Sequence, residues 1–234
     1  MVNNMAEVLQ ELAPTGRVRA AINFGNPVLA QRSPGAGAPQ GVSVDLTNAL
    51  GRRLGVPVQL LTFEAAGKVV EAAEASLWDI AFLANDPERA RKISFTAPYV
   101  VLEGTYIVRE DSPRRAVEDF DRPGTRIAVG RGAAYELYLS RTLKHAELVR
   151  AETSADAVKL FATQGLDCAA GVRQPLQGFA RTHPGYRVID GSFNAIAQAM
   201  AIPTGRPAGL RYLNDFLEEM KSSGLIAFAM SRPD

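Results

Sequence analysis

The stretch DIAFLANDPERARKISFTAPY, residues 79–99, decides the predicted fold, because a buried strand, a polar turn and a helix start follow one another in it. Residues 80–83 form a short apolar run of the kind found in a parallel sheet that is covered on both faces. The polar turn after this run offers Asn85 or Asp86 as a helix N-cap, and Pro87 suits the first helical position. We therefore expect a buried strand and, directly after the turn, a helix.

The turn lies at the carboxyl end of the predicted strand, where open α/β sheets bind their ligands. The N–H groups of a helix start and the guanidinium of Arg89 would face an anion bound there. Asn85 could add its side-chain amide as a donor, whereas Asp86 is expected to cap the helix because its carboxylate would repel an anion. The alternative is that Arg89 pairs with a neighbouring carboxylate on a solvated helix. Arg89 and Asn85 are therefore candidate ligand contacts.

Composition indicates a globular chain without a strong overall charge. The 234 residues, 47% of them hydrophobic, suffice for one large or two modest domains. A net charge of +1, from 26 basic and 25 acidic residues, provides no field that would recruit nucleic acid. The single cysteine, Cys168, excludes an intramolecular disulfide, and the two histidines lack the cysteine partners of a zinc site. We expect no cofactor and no metal.

The apolar runs bear on membrane contact. None approaches the roughly 20 residues that a transmembrane helix requires, which predicts no direct membrane insertion. Residues 1–10 lack the basic and continuously apolar regions of a secretory signal. Either a signal was removed before this numbering or none exists.

Strands and helices alternate along the chain in two successive series, which predicts parallel sheets flanked by helices. The first series predicts elements over residues 18–23, 42–54, 58–62, 68–75 and 80–83. The second series repeats the same order over residues 126–129, 135–143, 147–150, 154–164 and 168–172. Gly104, among extended residues between the two series, marks a bend or a crossing point between lobes. A return strand over residues 196–202 and a helix over residues 208–220 close the chain.

Two loops that follow strands are further candidates for ligand contact. The loop over residues 24–41 follows the first strand and offers Phe24, Asn26 and Gln31 as ligand neighbours, or serves only as a connector. The turn GRGAAY, residues 130–135, lies between a strand and a helix and would present backbone donors to an anion.

The second turn does not match a dinucleotide fingerprint. Tyr135 stands at the place of the third glycine, and Arg150 stands where an acidic residue would close the next strand. We therefore expect an anion contact rather than a nucleotide site. Its candidates are Gly130, Arg131, Gly132 and Ala133.

The segment PERARKISFTAPY, residues 87–99, resembles the T-P-E-R … F-S-x-P-Y signature of family 3 extracellular solute-binding proteins, the receptors of polar amino-acid ABC importers. Two more segments are similar to the family pattern. They are GVSVDLTNALGRRLGVPV at residues 41–58, with Asp45 at the acidic position of the motif, and LNDFLEEMKSSGLI at residues 213–226. The resemblance spans residues 17–230.

This resemblance implies a type II periplasmic-binding-protein-like fold with two α/β lobes. Each lobe would have a central, mostly parallel sheet flanked by helices, and two crossover strands would join the lobes. Lobe 1 would comprise residues 1–104 and the return segment 197–234, and lobe 2 residues 105–196.

The resemblance also implies a function: a monomeric solute-binding protein of an ABC transporter, with a small ligand in the interlobe cleft and an ABC permease as its partner. The location would be periplasmic if a signal peptide was removed, and otherwise cytoplasmic because the chain as given has no export signal.

The chain departs from the family pattern at residues that bear on the ligand. Family members hold the α-ammonium of an amino acid with an aspartate shortly after the D-A of the second lobe. Here DCAAGVRQP, residues 167–175, places Val172 and Arg173 there, and no acid follows before Asp190. A buried ammonium without an acceptor is costly, so a standard α-amino acid is disfavoured.

Three arginines favour an anionic ligand that bears a carboxylate, because guanidinium binds carboxylates at two points. They are Arg89, Arg131 and Arg173, and the alternative for Arg173 is a surface cation at a helix start. The family's G-T/S-T/S turn lacks its hydroxyls here, since Ala133 and Ala134 replace them. The segment before Pro87 is also shorter than the family's G-M-T-I-T, which removes contacts usually supplied there.

Two other functions remain open from the sequence. The same fold hosts cyclohexadienyl-type dehydratases, which need a positioned acid or base, and Glu103 is a possible acid. The lack of carboxylates between residues 167 and 190, and of a histidine in the cleft motifs, weighs against an enzyme. The second alternative is a soluble ligand-sensing protein without a transporter.

Overall fold

The computed structural model describes residues 4–35 and 37–232. Residues 1–3 and 233–234, which belong to the predicted lobe 1, and residue 36 of the predicted loop lie outside the described residues. In chain order the helices and strands are α1 (Met5–Leu12), β1 (Val18–Asn23), α2 (Val42–Leu54), β2 (Val58–Phe63), α3 (Ala66–Glu74), β3 (Ile80–Ala84), β4 (Ile93–Phe95), β5 (Val100–Arg109), β6 (Arg126–Gly130), α4 (Ala134–Thr142), β7 (Glu147–Ala151), α5 (Ser154–Gln164), β8 (Cys168–Val172), α6 (Arg173–Thr182), β9 (Tyr186–Val188), β10 (Asn194–Pro203), α7 (Pro207–Ser222) and α8 (Leu225–Ser231).

The chain forms two compact units. Unit 1 consists of Met1–Glu64, Lys68–Val100 and Ala197–Asp234, and unit 2 consists of Ala65–Gly67 and Val101–Ile196. Strands β5 and β10 each contain a unit boundary. The chain therefore passes from one unit to the other within these two strands, and also on either side of Ala65–Gly67.

The sheet of unit 1 has the strand order β2-β1-β3-β10. Strand β1 runs parallel to β2 and to β3, while β10 is antiparallel to β3 and to β4. Helix α2 shows why the sequence folds this way: Val42, Leu46 and Leu50 recur every fourth residue and are all buried in the core. Gly55, in the left-handed conformation at a φ of 68°, ends the helix where the sequence predicted its end.

A buried ionic network joins the amino ends of two strands in unit 1. Asp79, just before β3, is fully buried and accepts hydrogen bonds from the backbone N–H and from Nε of Arg19, both at 3.0 Å. Nη2 of Arg19 and Nη1 of Arg206 each donate to the other carboxylate oxygen at 3.0 Å. The hydrogen bonds that Arg19 donates to Asp79 raise the pKa of Arg19. This network lies at the opposite end of the strands from the candidate ligand contacts.

The sheet of unit 2 has the order β5-β8-β6-β7, with β9 on the other side of β5. Strand β6 is parallel to β7 and β8, and β5 is antiparallel to β8. Helix α5 covers this sheet with buried Ala157 and Phe161, and Thr153 caps its start by accepting from Asp156 N–H at 3.0 Å. Cys168 is buried in β8, and burial raises the pKa of its thiol.

The sequence predicts a helix directly after residue 86, but the chain forms no α-helix there. The chain makes a turn and then only a short 3₁₀ helix, Arg89–Arg91. Asp86 does cap this turn, because its Oδ1 accepts from Glu88 N–H at 2.9 Å. An α-helix does not continue because β4 follows at once and pairs with β10, which buries Ile93. Pairing with a strand distant in the sequence thus overrides the local helix signal.

Candidate functional site

The parallel strands of unit 1 end at one edge of its sheet, where the sequence placed its first set of ligand contacts. Asn85 directly follows β3, and its backbone N–H donates to Ala197 O at 3.0 Å while its side chain is exposed. Asn85 therefore presents its amide at this edge.

Arg89 returns to the same edge from the short 3₁₀ helix. Its side chain is buried, with 3% of the residue exposed, and Nη1 donates to Ala84 O at 3.0 Å. Since Ala84 is the last residue of β3, the guanidinium is held at the carboxyl end of that strand. The structure thus places the predicted arginine at the predicted position, but as a buried side chain rather than on the surface of an α-helix.

Phe24 and Asn26 follow β1 at the neighbouring strand end. Phe24 N–H donates to Phe63 O at 2.9 Å, and its half-buried ring packs partly against the core. Asn26 shapes the loop, because its side-chain oxygen accepts from Val28 N–H at 3.2 Å and its carbonyl accepts from Leu29 N–H at 3.1 Å. Asn26 therefore stabilises the turn, and ligand contact by Phe24 stays a prediction.

The turn after β6 in unit 2 uses its backbone donors internally, contrary to what its sequence suggested. Gly130 N–H donates to the hydroxyl of Tyr135 at 2.8 Å, and this hydroxyl lies 2.9 Å from Oγ of Ser154. Arg131 N–H donates to Ala151 O at 2.9 Å, and Ala133 N–H donates back to Gly130 O at 3.2 Å.

Gly130 and Gly132 are required here by close approach and by backbone conformation. A Cβ on Gly130 would lie 2.7 Å from Oγ of Ser154, and Gly132 has a φ of +74°. Gly132 N–H lies 3.4 Å from Oε1 of the buried Glu136. The exposed side chain of Arg131 is 3.8 Å from Glu152, so it is a surface ion pair. The turn is thus built mainly by its own contacts.

The guanidinium of Arg173, a predicted ligand contact, donates to groups of the protein itself. Its Nε donates to Oε2 of Glu103 at 2.5 Å, Nη1 to Ile189 O at 3.0 Å, and Nη2 to both Asp190 O and Gly191 O at 2.9 Å. The guanidinium therefore fastens the segment before β10 to β5. The same contact engages Glu103, the candidate acid, in an ion pair.

Replacing Arg173 with Ala should lower the free energy of unfolding by about 1–3 kcal/mol, because backbone carbonyls and Glu103 lose a charged donor. Urea unfolding followed by circular dichroism measures the change. Arg131→Ala is the matched control, since this arginine is exposed and expected to contribute about 0–1 kcal/mol. Equal stability of the two variants would contradict the structural role of Arg173.

Two residues at the edge of unit 1 were missed by the sequence analysis. Cζ of Arg32 lies 4.3 Å from the ring centroid of Phe24, and Arg32 forms an ion pair with Glu64, the residue after β2. A cation in the first loop and an acid at a strand end were the available signals. Nothing in the sequence could pair them, because they are separated by a helix and a strand.

The described residues offer no sign of a metal or a membrane segment. Within residues 4–35 and 37–232, there is no group of three or more His, Cys, Asp or Glu side chains placed to hold a metal ion. Over the same residues, no helix is both long enough and apolar enough to span a bilayer.

Solved structures show the same fold at low sequence identity. A mutant of ArgBP from T. maritima has a TM-score of 0.82 and 20% identity, covering 95% of this chain and 97% of its own. An ancestral amino acid-binding protein, described as a precursor of cyclohexadienyl dehydratase, has a TM-score of 0.79 and 23% identity, covering 94% and 96%. A putative ABC transporter binding component from Wolinella succinogenes, complexed with lysine, has a TM-score of 0.79 and 22% identity, covering 92% and 94%.

No curated protein matches the sequence significantly. The family model of the bacterial extracellular solute-binding proteins, family 3, matches residues 21–231. This match and the structural neighbours confirm both the resemblance and the fold class that the sequence predicted. The chain therefore belongs to family 3 of the bacterial extracellular solute-binding proteins and has their type II periplasmic-binding-protein fold.

Proposed function

We propose that this protein binds a small carboxylate-bearing solute without transforming it and delivers it to an ABC permease. The observation that carries the proposal is the buried guanidinium of Arg89, held against Ala84 O at the carboxyl end of β3. In open α/β sheets this end of the strands is where ligands bind. The family membership supports the role of a binding protein.

The chemistry of Arg89 favours a carboxylate. A guanidinium is planar and presents its N–H donors as a fork that matches two carboxylate oxygens. Asn85, exposed one residue after β3, adds an amide to the same edge. We assign the ligand's anionic group to this pair.

The second unit supports a ligand without an α-ammonium. Val172 stands where the family pattern places an acid, and Arg173 beside it is engaged with Glu103 and backbone carbonyls. Recognition of the anion then depends on Arg89 rather than on three arginines. Solved neighbours are described as binding arginine or lysine, so amino acids are the natural competitors in any ligand screen.

The ion pair between Glu103 and Arg173 favours a non-catalytic role over the dehydratase alternative. Its carboxylate forms an ion pair with Arg173 at 2.5 Å, so it is not placed as a separate proton donor. A sensor without a transporter is the other alternative. Permease and ATPase genes beside this one would favour transport over sensing.

A thermal-shift screen tests the proposal. The panel comprises small mono- and dicarboxylates, prephenate, L-arginine, L-lysine and their decarboxylated amines. A ligand present at about 100 times its Kd should stabilise the protein by about 2.7 kcal/mol, or about 5–10 °C in Tm for a chain of this size. We expect shifts from the mono- and dicarboxylates, and none from L-arginine, L-lysine or their decarboxylated amines. A shift from amines alone would contradict the proposal, and turnover of prephenate would establish an enzyme instead.

A further inference from the structure

The guanidinium of Arg32 lies over the ring of Phe24. Cζ of Arg32 lies 4.3 Å from the ring centroid, within the distance at which a cation is attracted to an aromatic face. The same guanidinium forms an ion pair with Glu64 through Nη2 and Oε1. Aromatic face and carboxylate together are the elements of a cation-binding site.

Backbone contacts put these elements in place. Phe24 N–H donates to Phe63 O, so the ring of Phe24 and the carboxylate of Glu64 project from adjoining strand ends. The bend after β1 is made by Asn23, whose Oδ1 accepts from Gly25 N–H at 2.8 Å.

The base of Arg32 is also fixed by backbone contacts. Gln31 N–H donates to Gln40 O at 2.8 Å, and Gln40 N–H donates to Gln31 O at 3.0 Å. Gln31, the residue before Arg32, is thereby paired with the far end of the loop.

We propose that Phe24 and Glu64 form a binding site for a guanidinium or ammonium group, and that Arg32 fills this site in place of a ligand. Arg32 then acts as a specificity-determining residue that excludes cationic solutes from this edge of unit 1. The inference adds selectivity against cations to the proposed function but does not require Arg89 to bind a carboxylate.

Exposure sets the size of the effect. The side chains of Arg32 and Glu64 are 61% and 65% exposed, so their ion pair and the contact with Phe24 are each weak. We therefore expect that Arg32 lowers the affinity of the protein for a competing cation by only about tenfold. Removal of Arg32 should raise that affinity by the same factor.

Agmatine is the probe, because it carries a guanidinium and an ammonium but no carboxylate. Calorimetry on the full chain should show about tenfold tighter binding of agmatine to Arg32→Ala than to the wild type. Arg17→Ala removes an exposed arginine of the same unit and should behave as the wild type. Arg32→Lys keeps a cation at this position and should bind agmatine as weakly as the wild type does.

The double variant Arg32→Ala/Glu64→Gln identifies the site, since it should lose the gain in affinity. Two results would overturn the inference. One is equal agmatine affinity of the wild type and Arg32→Ala, and the other is a gain in agmatine affinity that persists in the double variant. Circular dichroism checks that each variant is folded. We expect that they fold, because the replaced side chains of Arg32 and Glu64 are exposed. Because agmatine lacks a carboxylate, failure of this test is distinct from failure of the carboxylate screen.

Discussion

Asp79→Ala is expected to lower the free energy of unfolding by about 3–5 kcal/mol, because it leaves Arg19 and Arg206 without their shared buried carboxylate. Both arginines are 20% exposed, whereas Asp79 is fully buried. The lost carboxylate accepts from three side-chain nitrogens and one backbone N–H, so no single water can replace it. Asp79→Asn should lie between wild type and Ala, because an amide keeps one acceptor oxygen.

Urea unfolding followed by tryptophan fluorescence measures this loss where it occurs. The protein has one tryptophan, Trp78, which is buried beside Asp79 and donates from Nε1 to Val69 O at 2.9 Å. Asp45→Ala is the control, since Asp45 pairs with Arg232 near the surface and should contribute about 0–1 kcal/mol. A loss for Asp79→Ala no larger than that of the control would refute a central role for the network.

Arg89→Ala is expected to weaken binding of the carboxylate that gives the largest shift in the screen by about 2–5 kcal/mol, or about 30- to 4,000-fold in Kd. The reason is that the ligand's carboxylate would be buried without its charged partner. Arg89→Lys should recover only part of the affinity, because an ammonium keeps the charge but not the two-point fork.

Calorimetry of these variants with that carboxylate decides the matter. Arg91→Ala, an exposed arginine of the same 3₁₀ helix, is the matched control and should bind as the wild type does. Fluorescence of Trp78 checks that unit 1 remains folded. Wild-type affinity in Arg89→Ala would show that the anion contact lies elsewhere in the protein.

Most of the secondary structure could be predicted because its signals are local. The four-residue spacing of Val42, Leu46 and Leu50 and the glycine at residue 55 specify α2 without reference to the rest of the chain. The apolar run of β3 likewise marks a strand buried on both faces. The signature at residues 87–99 identified the family and placed Arg89 at the end of β3.

The candidate site was only partly predictable because its side chains form contacts with residues that are distant in the sequence. Arg173 contacts Glu103, 70 positions away, and the carbonyls of residues 189–191. Its sequence neighbours carry no sign of these acceptors. The same limit hid the contact of Arg32 with Glu64.

The sequence by itself determined the alternation of strands and helices, the family and the position of the buried arginine, since periodicity, caps and motifs act over a few residues. The tertiary structure alone decided that β4 replaces a helix, that the turn at Gly130 consumes its own donors and that Arg173 is a structural clamp. Each of these outcomes depends on which distant backbone groups need a hydrogen-bond partner once the sheets have formed, and buried polar groups must be satisfied.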